Sequence, residues 1–103
     1  MKVRLTRAAQ TDLVEIGVHI ARDDTLAAHR WVARLRARCR SLGRFPERCP
    51  IWFSTAPPIR RASEGAHNIF YTVQLDHVRV ERIVHGARDI DASLLLLIKP
   101  HDT

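Results

Sequence analysis

Apolar residues return at two different periods along this chain of 103 residues, and the change of period separates a helical first half from a strand-rich second half. Residues 2–5 read as a short strand. Ala9, Leu13, Ile16 and Ile20 then recur at helical spacing. Thr6 stands where its hydroxyl can accept a hydrogen bond from a free first-turn amide, so the spacing predicts a capped helix from Thr6 to about Arg22. Asp23-Asp24 break the pattern. Thr25 is the expected cap of a second helix running to about Leu42, where Gly43 and then Pro46 stop it. Ala28, Val32, Leu35, Cys39 and Leu42 line its inner face, and so short a joint predicts an antiparallel helical hairpin.

Residues 44–58 hold four of the five prolines and show no clear period, which predicts an irregular surface loop pinned by Trp52 or Phe53. Beyond it, three runs read as strands: about Ile59–Ser63, His67–Leu75 and Val78–His85. Turns at Glu64-Gly65 and Asp76-His77 join them into an antiparallel meander. The first strand must add to the same sheet, because a lone strand leaves its backbone groups unpaired. The expected fold is therefore α+β: two helices on one face of a four-stranded antiparallel sheet, in the order β-α-α-β-β-β. Asp91–Ile98 would add a short apolar helix or tail, and residues 1–103 make one domain.

Charge sharpens this picture. Seventeen Lys+Arg against eleven Asp+Glu give a net charge of +6, and all but Lys2 and Lys99 of the cations are arginine. Arginine grips phosphate and carboxylate in a two-pronged way that lysine cannot, so polyanions or an acidic protein segment are the expected partners. On the second helix Arg30, Arg34 and Arg38 stack at four-residue spacing on one flank of the apolar stripe, with Arg36 and Arg40 on the other. The first helix carries a second apolar row, Val14, Val18 and Ala21, pointing away from the core stripe. Outward apolar residues of this kind suggest a partner surface. The apolar tail Leu94–Ile98 also needs cover, from its own chain or another.

The candidate chemistry lies at the end of the last strand. Val78 to Val84 lead into His85-Gly86-Ala87-Arg88-Asp89, a turn that displays a histidine, an arginine and an aspartate beside Arg60, Arg61, Arg79 and Arg82 of the strands. Strict alternation puts Arg82 with Val78, Val80 and Val84, and His85 on the opposite face with Arg79 and Ile83, unless a bulge intervenes. No phosphate-cradling glycine loop or Ser/His/Asp set occurs. Cys39 and Cys49 lack metal-ligand spacing, so no metal and no cofactor are expected. Cys39 reads as a small core residue and no disulfide is expected in a reducing compartment. No run approaches the roughly 20 apolar residues of a membrane span, and no signal-peptide pattern opens the chain; a cytoplasmic location is expected.

Taken together, the chain resembles the RelE/ParE toxin superfamily over roughly Val3 to Leu95. The carriers are Leu5-Thr6 with Ala8, Ala9, Asp12-Leu13 and Ile16; Leu42 with Phe45-Pro46; Ile59-Arg60-Arg61; Ile69-Phe70-Tyr71; and Arg82-Ile83-Val84-His85-Gly86-Ala87-Arg88-Asp89. The last two are specific in combination, and the final one is closer to the ParE branch. The resemblance implies a toxin of a type II toxin–antitoxin system, causing growth arrest and held in a hetero-oligomer by a ParD-like antitoxin. Val14, Val18, Ala21, Trp31, Arg30, Arg34 and Arg38 are the candidate antitoxin contacts. ParE-type toxins poison DNA gyrase, which makes Arg60, Arg61, Arg82, His85 and Arg88 candidate target contacts for a non-catalytic inhibitor. RelE-type toxins cut mRNA at the ribosome. In that alternative His85, Arg88 and Arg60 would carry catalysis, but Asn68 stands at the position of another catalytic arginine and Leu94 at that of the C-terminal tyrosine. An inactive binding module is the third possibility.

Overall fold

The computed structural model describes residues 1–86. The first strand, β1 (Lys2–Leu5), leads into helix α1 (Arg7–Ala21) and helix α2 (Thr25–Ser41). Strands β2 (Ile51–Phe53), β3 (Ile59–Glu64), β4 (His67–Val73) and β5 (His77–His85) follow. They form one sheet in the order β1-β5-β4-β3-β2. The α+β class and the order of elements are as the sequence predicts, with two refinements.

The sheet has five strands and is mixed. β3, β4 and β5 form the antiparallel meander, but β1 lies parallel to β5, with Lys2 opposite His77 and Leu5 opposite Val80. Two helices separate β1 from the strands, and that length of chain lets β1 enter the sheet running in the same direction as its neighbour. The fifth strand comes from the proline-rich segment expected to be irregular. There Trp52 packs on Phe70 with ring centroids 4.8 Å apart, which holds Ile51–Phe53 against β3.

Capping follows the local chemistry. Thr6 accepts from the Ala9 amide at 3.0 Å, and its hydroxyl donates to the Glu81 carbonyl at 2.8 Å. One residue thus ends β1, starts α1 and ties both to β5. α2 is capped one residue earlier than expected: Asp24, not Thr25, accepts from the Ala27 amide, at 3.0 Å. A carboxylate suits that place because it meets the positive end of the helix dipole.

The main core lies between helices and sheet. Ala9 and Leu13 of α1 and Leu35 and Cys39 of α2 bury their side chains against Ala62, Ile69, Tyr71, Val78, Val80 and Ile83. On the sheet's second face Ile59, Phe70 and Val84 form a smaller buried cluster with Trp52. Val84 and Val80 therefore belong to different clusters, although strict alternation puts them on one face. A bulge in β5 is the reason. Phe70 pairs with Arg82 and the next residue, Tyr71, with Val80, so Glu81 is extra and the alternation shifts past it.

Candidate functional site

The outward row of α1 is open as expected: Val14 is 62% and Val18 54% exposed, whereas Ala21 is half-buried. Leu26, at the start of α2, is also exposed, at 58%, and the sequence reading missed it. Its signal was present, since two residues before Ala28 it falls on the opposite side of the helix from that stripe.

The arginine flank of α2 is partly occupied by the chain itself. Arg30 is exposed. Arg34 is exposed too, but its guanidinium meets Glu64 at 3.2 Å and lies 5.3 Å from the centre of the Trp31 ring. Half-buried Arg38 donates to the Ser63 carbonyl and to the Ser41 hydroxyl. Trp31 is half-buried. Its indole donates to His67 Nδ1 at 3.2 Å, and its ring lies over Gly65 in the β3–β4 turn.

The sheet-end residues divide. Arg82 is buried and leaves the set of accessible target contacts, because Asp12 of α1 takes its guanidinium and holds its pKa above the ordinary arginine value. Arg60 is half-buried and donates to the Glu47 and Cys49 carbonyls at 2.9 and 2.8 Å, so it anchors the loop before β2. Arg61 and His85 are exposed, as a contact surface requires. Arg88 lies outside the described residues, as do the Ala87-Arg88-Asp89 part of the turn and the Leu94–Ile98 tail.

Sequence reasoning gave His67, at the start of its strand, no role beside His85. The two are directly opposite each other across β4 and β5, on the helix side, with ring centroids 5.2 Å apart and nearly perpendicular planes. Burial, and next the neighbouring His85, hold the His67 pKa below its ordinary 6.5. Arg79, Glu81 and Thr72 form a second buried polar chain, with Arg79 Nε 3.0 Å and Thr72 Oγ1 2.9 Å from the two Glu81 oxygens. Among the described residues no group of three or more His, Cys, Asp or Glu side chains is arranged to hold a metal. No described helix is long and apolar enough to cross a membrane.

What this arrangement offers is binding surface: exposed apolar residues on α1, cations on α2 and on the sheet, and most buried charges already neutralised within the chain. No curated protein matches the chain. A solved structure described as the chromosomal ParDE TA system from P. aeruginosa is similar in fold, with a TM-score of 0.72 and 17% identity over 82% of this chain and 95% of that one. The family model for the ParE toxin of the type II toxin–antitoxin system parDE matches residues 3–90, nearly the whole length over which the sequence resemblance runs. With that match, the chain belongs to the ParE toxin family.

Proposed function

We propose that this protein is a toxin neutralised by a ParD-like antitoxin and that, when free, it inhibits DNA gyrase by binding rather than by covalent chemistry of its own. The family membership over residues 3–90 is the observation that carries the reading. The antitoxin surface is the exposed row Val14, Val18 and Leu26 with Arg30 and the outer side of Arg34, which suits an acidic, amphipathic segment. The target contacts are Arg61 and His85, joined by Arg88 of the same sequence motif.

An endoribonuclease needs accessible groups to move protons and to neutralise a developing phosphate charge. Of the three residues that would carry it, Arg60 is held by the Glu47 and Cys49 carbonyls, which counts against the catalytic reading. The test is a supercoiling assay with purified gyrase and toxin. Inhibition that is relieved by the antitoxin supports the proposal. Untouched gyrase, together with cleavage of translated mRNA, would replace it with the ribosomal reading.

A further inference from the structure

We infer that Trp31, His67 and His85 form an acid-sensitive latch that fastens α2 to the end of the sheet and holds only while His67 is neutral. The Trp31–His67 bond itself carries the argument. An indole N–H is a donor and never an acceptor, so His67 Nδ1, 3.2 Å away, must present a lone pair. The ring proton of neutral His67 is then on Nε2. An imidazolium carries protons on both nitrogens. Protonation would set one N–H against another, and the bond from α2 would be lost.

The surroundings fix the direction in which acid acts. His67 is 9% exposed, and His85 of β5 lies edge-on at 5.2 Å, so charge on either ring opposes charge on the other. From α2, the Arg34 guanidinium adds positive charge 5.3 Å from the Trp31 ring centre. From β3, Glu64 sits directly opposite His67 and alone would favour the cation, but Arg34 holds its carboxylate at 3.2 Å. Burial and the neighbouring His85 both lower the His67 pKa, in agreement with that balance. The latch therefore stays closed near neutrality and opens only as pH falls below the ordinary histidine value of 6.5.

The part that would be released is specific. The Trp31 ring occupies the space above Gly65, where even a methyl group would come within 2.4 Å of it. Losing the His67 bond frees this ring together with the Arg34–Glu64 pair beside it, at the inner margin of the surface assigned above to the antitoxin. That regulatory consequence rests on the proposed function, whereas the latch does not.

The test uses the free, full-length toxin labelled with nitrogen-15. Indole and imidazole resonances are followed between about pH 8 and about pH 5, the span in which histidine titrates. The Trp31 indole signal is expected to move with the His67 ring at one shared midpoint below 6.5. Trp52, packed on Phe70, serves as the control and stays still. In His67→Gln, whose side-chain oxygen accepts without titrating, the Trp31 response disappears; in His85→Gln the midpoint rises. A Trp31 signal that stays fixed while His67 titrates would overturn the latch, as would an unchanged response in His67→Gln or a His67 midpoint at or above 6.5. Since no antitoxin or gyrase is present, failure here leaves the toxin assignment standing, and a failed gyrase assay leaves the latch standing.

Discussion

Arg82 of β5 meets Asp12 of α1 edge to edge, Nε to Oδ2 at 2.8 Å and Nη2 to Oδ1 at 2.9 Å, across 70 residues of sequence. Asp12 Oδ2 also accepts the Ile83 amide at 2.8 Å. A single buried carboxylate thus satisfies three donors and fixes where α1 crosses the bulge. Asp12→Ala would leave a buried guanidinium and a buried amide without partners, and we expect a loss of about 3–5 kcal/mol of stability. Urea unfolding measures it. A loss below about 1 kcal/mol, the value of an exposed pair, would show that the contact does not organise the joint.

Gly65 has φ +56° and lies under the Trp31 ring. Gly65→Ala is expected to cost at least about 1–2 kcal/mol from the left-handed backbone alone. The contact with Trp31 adds to that cost, so Gly65→Ala combined with Trp31→Ala should lose less than the sum of the two single changes. Thermal denaturation of the three variants gives the comparison, and strict additivity would count against the close approach.

The two cysteines should differ sharply in reactivity. Burial lifts the Cys39 thiol to about 11, so it stays protonated near neutral pH, whereas Cys49 is only half-buried. Since the thiolate is the nucleophile, iodoacetamide at neutral pH should label Cys49 in the native protein and Cys39 only after unfolding. Mass spectrometry of the labelled peptides decides the order.

Acid should weaken the fold through His67. Its folded pKa lies below 6.5, so over the interval between the folded and unfolded values the unfolded chain binds more protons. Stability from this group is complete above 6.5 and is lost as pH falls through the lower, folded value. Urea midpoints measured against pH should therefore decline on the acid side, and His67→Gln should flatten that part of the curve. A steeper decline in the variant would reverse the sign assigned here.

The exposed row of α1 provides a test of the antitoxin surface. Val14→Asp with Val18→Asp changes side chains that face water, so the toxin's own stability should shift by less than about 0.5 kcal/mol per site. If an acidic amphipathic segment docks there, affinity for the antitoxin should fall at least about tenfold, equivalent to roughly 1.4 kcal/mol. Calorimetric titration separates the two effects. Unchanged affinity would move the docking surface elsewhere.

Local pattern was enough to place both helices, the meander and the outward valines, because the period of apolar residues reports backbone conformation wherever one face is buried. Thr6 could be read as a cap for the same reason: its partner, the Ala9 amide, is three residues away. The sequence also carried enough of its family's pattern, from Leu5-Thr6 to the His85–Asp89 motif, to point to the toxin superfamily.

The rest depended on distant parts of the chain. The parallel entry of β1 is set by how the hairpin of helices returns to the sheet, and β2 exists because Trp52 finds Phe70. One extra residue, Glu81, shifts the faces of β5 past it, and Asp12, 70 residues away in sequence, takes the Arg82 guanidinium. A charged side chain looks the same in sequence whether it is displayed or neutralised. Its role is decided by whether the fold brings an opposite charge within about 3 Å, close enough to satisfy it once it leaves water.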